Sequence, residues 1–212
     1  MLCAADELCA YKCSPLYPQV ARLAVVLLYT AGLRRGELVR LTLGDYDSAE
    51  GTLFIHDSKF HKSRVVPLSP DAVREIERYL ETRRRTDLPR DADDPLLLHQ
   101  QRGFNAYQGN GLRLLMRQLF KAAGIRTVAG RLPRTHDLRF TFAIHALSRW
   151  YRAGADVQSR LPALANFMGH ASVVSTQYYL PFLDTVAQSA SERFDRHCTR
   201  FFAPTPDERG GQ

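Results

Sequence analysis

The sequence predicts an α+β fold, mainly α, with one small antiparallel β-sheet. Three observations lead there. Apolar residues recur at helical spacing along most of the chain, while only two short segments carry a clear strand signal. The 212 residues, 45% hydrophobic and 24% charged, suffice to bury one sizeable core. That composition excludes a disordered, collagen-like or disulfide-stapled chain. The longest apolar run, Leu23 to Leu33, has arginine on both sides and is too short to span a bilayer. Asp6 and Glu7 stand where a signal peptide would be basic. These features point to a soluble, cytoplasmic protein.

Taken in order, Val20 to Tyr29 is dense in apolar residues, as a buried helix is, and Ala31-Gly32 ends or kinks it. Arg35 to Leu43 continues helically towards Gly44-Asp45. Thr52 to His56 and Arg64 to Leu68 are strands flanking the polar stretch Asp57 to Ser63, a hairpin with a basic tip. Pro70-Asp71 starts a helix running to about Arg84, with Val73, Ile76, Tyr79 and Leu80 on one face. Arg83 to Pro95 is a polar, proline-punctuated loop. Leu96 to His99 fits a short strand or a helix entry. Gly111 to Ala123 is helical, with Leu112, Leu115, Met116 and Leu119 three and four apart. Thr135 is a candidate N-cap for a helix from His136 to about Arg152. A further helix covers Leu161 to Met168 and stops at Gly169. Val173 to Leu180 is helical until Pro181, and 203–212 reads as a loose tail.

Lysine and arginine number 29 against 22 acidic residues, a formal net charge of +7. Only Lys12, Lys59, Lys62 and Lys121 are lysines, so the excess is arginine, whose planar fork suits phosphate oxygens. Charge alone makes nucleic acid a possible partner and nothing sharper. The four cysteines form no CxxC: Cys3, Cys9 and Cys13 lie together, and Cys198 is remote. Free thiols fit these spacings better than a zinc cluster.

Four segments each offer a cation or a nucleophile. They are TAGLRRGEL with Arg34, SKFHKSRVVPL with Lys59 and Lys62, THDLRFTFAIH with His136 and Arg139, and FMGHASVVSTQYY with His170, Tyr178 and Tyr179. Singly, each has an ordinary explanation: a solvated ion pair, an exposed turn, a capped helix, core tyrosines. Together, their order and spacing resemble the catalytic domain of the tyrosine recombinases, the phage integrase family. That family's boxes read roughly T-G-L-R-x-x-E, G-K-x-x-K-x-R-x-V-P-L, H-x-L-R-H and L-G-H, with a tyrosine nine residues after the last histidine. The resemblance covers Leu23 to Pro181.

It implies the tyrosine-recombinase fold and a catalytic set of Arg34, Lys59, His136, Arg139, His170 and Tyr179. Lys62, Arg64 and Arg35 are the implied DNA contacts. The nine-residue interval from His170 selects Tyr179 over Tyr178, and on a helix the two side chains point about 100° apart. Lys59 is preferred to Lys62 on the same match, although a hairpin tip could present either. The chain departs from the family at Phe140, where a second histidine is common, at Leu180-Pro181, and in a longer stretch from Trp150 to Pro162.

The implied chemistry has a physical logic of its own. Attack on a phosphodiester builds charge on its non-bridging oxygens, which two fixed arginines can clamp. Tyr179 would attack phosphorus and form a covalent 3′-phosphotyrosine. Lys59 would protonate the departing 5′ oxygen, and His136 and His170 would assist proton transfer or bind phosphate. No metal or other cofactor is implied, since no carboxylate cluster of the two-metal type stands out.

The expected activity is site-specific recombination or integration for a phage or mobile element. The partners would be double-stranded DNA and further copies on that DNA during synapsis, with no membrane or metal. The alternatives are a catalytically silent DNA-binding remnant and a type IB topoisomerase-like activity. A metal-dependent hydrolase built on His136, His170 and His145 lacks matching acidic ligands.

As a domain reading, 1–202 is the catalytic domain and 203–212 a tail. Members of the family usually carry an N-terminal helical domain, and with 33 residues before Arg34 the expectation is that it is absent. A largely monomeric protein that grips DNA weakly from one side is the expectation. Asp184 to Phe202, with Val186, Phe194 and Phe201, is the segment expected to dock in cis or on a neighbour.

Overall fold

The most apolar stretch of the chain becomes the central helix. The computed structural model describes residues 1–8, 14–58, 62–86, 88–100 and 104–182. After a short α1 (Leu2–Asp6), α2 (Tyr17–Thr30) buries Val20, Leu23, Ala24, Leu27 and Leu28. Being apolar around most of its circumference, α2 is covered on several sides, by α1, α4 (Pro70–Arg85), α5 (Gly109–Ala122) and α6 (Thr135–Arg152). It ends where Gly32 takes a left-handed φ of 59°, and a Cβ there would sit within the Phe142 ring.

Between α2 and α4 the chain departs from the expected continuous helix. The helix α3 is only Arg35–Leu38, followed by a 3-10 turn at Leu43–Asp45. The backbone NH of Leu43 and Gly44 instead bond the carbonyls of Asp94 and Ala92, so loop contacts outcompete helix propagation. The expected hairpin is present as β2 (Thr52–Ser58) and β3 (Lys62–Pro67), antiparallel with Leu53 opposite Val66. A two-residue β1 (Tyr46–Asp47) adds a third strand in the order β1-β2-β3.

Helix α4 is capped by Ser69, whose hydroxyl accepts the Ala72 NH at 3.3 Å. Its inward stripe centres on Ala72, Ile76, Tyr79 and Arg83, leaving Val73 and Leu80 half-buried. Arg83 donates to the carbonyls of Pro89 and Pro95, both at 2.6 Å, and so ties down the proline-punctuated loop. The segment after it resolves as strand: β4 (Leu98–Gln100) pairs with β5 (Phe104–Ala106).

Helix α6 begins one residue before the predicted start. Arg134, not Thr135, is the capping residue, its NH bonded to the Asp137 carboxylate at 2.9 Å, while Thr135 is buried as the first helical residue. Helix α7 (Val157–Met168) starts earlier than Leu161 because Asp156 accepts the NH of Gln158 and Ser159. Pro162 lies within its second turn, so one ladder bond is missing there. Helix α8 is only Val174–Gln177. Beyond it, Tyr179 and Leu180 bond back three residues, to Thr176 and Gln177, tightening the chain before Pro181.

Residues of α6, α7 and Tyr179 make a second apolar cluster around Ile144, Leu147, Leu164 and Met168. Among the described residues no helix is long and apolar enough to cross a membrane. Cys3 is an exposed free thiol; Cys9, Cys13, Cys198, the 184–202 segment and the 203–212 tail lie outside the described residues.

Candidate active site

The first box folds around an acid. Glu37 is buried in α3 and accepts the Arg34 backbone NH at 2.8 Å and the Arg34 Nη1 at 2.8 Å. Arg64 of β3 completes it with a two-pronged contact at 3.0 and 2.9 Å. Burial alone would raise the Glu37 carboxyl. Hydrogen bonds from Arg64 and from the Arg34 backbone, with their charges, outweigh that and hold it at about 2. Arg64, read from the sequence as a DNA contact, therefore has its guanidinium committed inside the protein. Its side chain is 8% exposed, and its Nε donates to the Phe167 carbonyl at 2.9 Å.

The second anchor is the turn that ends α7. Gly169 adopts φ 67°, and its carbonyl accepts the Arg34 Nη2 at 2.6 Å. A Cβ at this position would lie 2.5 Å from Arg64 Nη1 and 3.2 Å from Arg34 Nη1, so glycine is required by both conformation and space. The next carbonyl back, Met168, accepts Arg139 Nη2 at 2.6 Å, while Arg139 Nη1 donates to Gly32. Arg34 and Arg139 are thus fixed by backbone carbonyls of one turn, and each keeps further N–H donors. Burial, and then the Arg34 charge, lower Arg139 to about 10, which leaves it cationic at neutral pH.

His170 follows that turn, and its Nδ1 meets the buried Thr176 hydroxyl at 2.7 Å. Burial first, then the charges of Arg139, Arg34 and Arg64, push it down to about 4, so it is neutral at pH 7. Its ring lies nearly parallel to that of Tyr179, centroids 6.2 Å apart. Tyr179 is 4% exposed and Tyr178 65%, so the two neighbouring tyrosines have opposite fates. Burial raises the Tyr179 phenol, and Arg139 and Arg34 pull it partly back.

His136 sits at the exposed lip of the site. Partial burial, followed by the Arg139 charge, holds its imidazole below the usual value. The structure therefore brings Arg34, Arg139, His170 and Tyr179 together with His136 beside them. Lys59 lies outside the described residues, as does the Lys62 side chain, although Lys62 begins β3.

From His136 a cleft of about 790 Å³ opens, walled by Arg35, Arg113, Arg117, Arg131 and Arg134. Arg134 pairs with Asp137 at 3.3 Å; the other four have no carboxylate partner among the described residues. Only Arg35 was named from sequence. The i,i+4 spacing of Arg113 and Arg117 on α5 was the available signal for two of the rest. Glu37 was present in the first box without a role, and Thr176 carried no signal at all. Among the described residues no group of His, Cys, Asp or Glu is placed to hold a metal ion.

A mainly helical domain that sets two arginines, a histidine and a tyrosine around one turn, with a second histidine at its lip and a basic cleft beside it, has the parts of a phosphoryl-transfer site. The chain belongs to the phage integrase family, whose pattern matches residues 5–184. It is 37% identical over 169 residues to y4rE of Sinorhizobium fredii, a protein named as an integrase/recombinase, covering 79% of this chain and 53% of that one. It is 32% identical over 174 residues to the tyrosine recombinase XerA of Pyrococcus furiosus, covering 81% and 54%. A crystal structure of a XerA recombinase superposes with a TM-score of 0.63 at 26% identity, covering 84% of this chain and 54% of that one. The four-box resemblance and the fold it implied are borne out. The chain spans about half the length of these relatives.

Proposed function

We propose that this domain cleaves and rejoins double-stranded DNA through a covalent 3′-phosphotyrosine, as a cytoplasmic site-specific recombinase or integrase of a phage or mobile element. The observation that carries the reading is the meeting of Arg34, Arg139, His170 and Tyr179 at one turn. The phenol oxygen of Tyr179 forms a bond to phosphorus as the P–O5′ bond breaks. The phenol proton passes to neutral His170 or to solvent, and the 5′ oxygen takes a proton from Lys59. Arg34 and Arg139 meet the charge that develops on the non-bridging oxygens. His136 contributes a further hydrogen bond from the lip. Rejoining reverses the steps, and strand exchange needs further copies on the same DNA.

The arginine-walled cleft supports DNA as substrate, because four cationic side chains without a carboxylate partner among the described residues, crowded together, favour a polyanion. Arg113, Arg117 and Arg131 join Arg35 and Lys62 as the proposed DNA contacts, in place of Arg64. A nicked suicide substrate tests the reading. Tyr179→Phe abolishes covalent attachment with DNA binding intact, and Tyr178→Phe retains it. Attachment persisting in Tyr179→Phe overturns the nucleophile. Attachment should also survive EDTA; strict Mg²⁺ dependence would overturn the arginine clamp as the source of charge stabilisation.

A further inference from the structure

Two tyrosines stand side by side in this chain, and the fold must present one of them. Phe140 lies one helical turn beyond His136 on α6 and directly follows Arg139, at the place where the family commonly has histidine. Its ring meets both tyrosines edge-on, with centroids 5.3 Å from Tyr179 and 6.3 Å from Tyr178. Phe182 closes the group, 4.9 Å from Phe140 and 5.8 Å from Tyr178. Each contact has the tilted or perpendicular geometry that aromatic quadrupoles favour.

The consequence is an asymmetric split. Tyr179 is held between Phe140 and His170, within the charge field of Arg139, at 4% exposure. Tyr178 is held on the other side, against Phe140 and Phe182, at 65% exposure. Backbone geometry contributes, because the three-residue bonds at Tyr179 and Leu180 set consecutive side chains about 120° apart. That rotation separates the tyrosines without deciding which one faces the guanidinium groups. The ring of Phe140 is the one side chain of α6 in ring contact with both tyrosines, and so stands where it can tell them apart.

We infer that Phe140 is a positioning residue that selects the nucleophile, holding Tyr179 towards the arginine clamp and Tyr178 away from it. The inference rests on the proposed covalent chemistry, and the experiment separates the two. Attachment to a nicked suicide substrate is timed in single turnover and the linked peptide is mapped by mass spectrometry. DNA affinity and melting temperature are measured alongside.

Phe140→Leu keeps the apolar fill and loses the ring, and attachment should slow by at least about tenfold at unchanged DNA affinity, since small misplacements of a reacting group are costly. Phe140→Tyr keeps the ring and should stay within about threefold of the wild-type rate, the carbons that touch both tyrosines being unaltered. Phe140→Ala combined with Tyr179→Phe should yield adduct on Tyr178, where Tyr179→Phe alone yields none. Wild-type rates in Phe140→Leu, or a folded double variant without a Tyr178 adduct, overturn the selection. No adduct from the wild-type chain on a cognate substrate overturns the covalent reading and the inference with it.

Discussion

Gly169 and His170 show how much of the site depends on single residues. Gly169→Ala forces a Cβ into the left-handed region and against Arg64 and Arg34. The backbone term alone costs about 1–2 kcal/mol, and the displaced guanidinium groups add to it. The expected result is a lower melting temperature and attachment reduced more strongly than DNA affinity, because the Arg34 anchor is the Gly169 carbonyl itself. His170 makes a pH prediction. The unfolded chain takes up a proton on this ring near pH 6.5, the folded one only near 4. Between those values the unfolded state binds more protons, so acid withdraws stability across that window and raising the pH restores it. His136, also held down, acts in the same direction. Melting temperatures measured from pH 7 to 4.5 at fixed ionic strength should fall in the wild type and fall less in His170→Asn.

At the scale of elements, the buried Glu37–Arg64 pair is the joint between α3, the β2–β3 hairpin and the end of α7. Breaking a buried pair by removing one partner strands the other charge, a loss of about 3–5 kcal/mol. Glu37→Ala and Arg64→Ala should therefore be strongly and non-additively destabilising in thermal or urea unfolding. An Arg64→Ala protein as stable as wild type would return Arg64 to the DNA surface. This joint also marks where reading the sequence stops. Arg34, His136, Arg139, His170 and Tyr179 were singled out by four boxes whose order and spacing resemble the family's, and the fold brings four of them to one turn with His136 at its lip. The long elements were legible because α2, α4, α5 and α6 repeat their apolar residues over several turns. The β1 and β5 strands were not, and β4 stood only as one of two readings of Leu96 to His99, since two or three residues show no period. The fate of Arg64 was not legible either: its acid lies 27 positions away, and a basic hairpin residue looks alike whether it points to DNA or into the protein.

For the whole molecule, the proposed DNA substrate turns the charge layout into a quantitative prediction. Arg35, Arg113, Arg117, Arg131 and Arg134 wall one cleft that leads from His136. If each of these meets one phosphate, the cleft contributes roughly 4–5 to the slope of log affinity against log salt for B-DNA. Replacing Arg113 or Arg117 by alanine should lower that slope by about 0.9 each and weaken binding to all sequences alike. Arg64→Lys, assayed under conditions where it stays folded, should leave the slope unchanged, because that charge faces Glu37 and not solvent. The contrast between these variants tests the whole charge layout. On the proposed function, arginines on the cleft wall are expected to act through released counterions and those around Gly169 through rate. A protein whose salt slope falls with Arg64 and not with Arg113 or Arg117 would place the duplex across the hairpin rather than along the cleft. Binding by the 212-residue chain should accordingly be steeply salt-dependent in the cleft residues and only weakly dependent on base sequence, since phosphate contacts position the duplex without reading it.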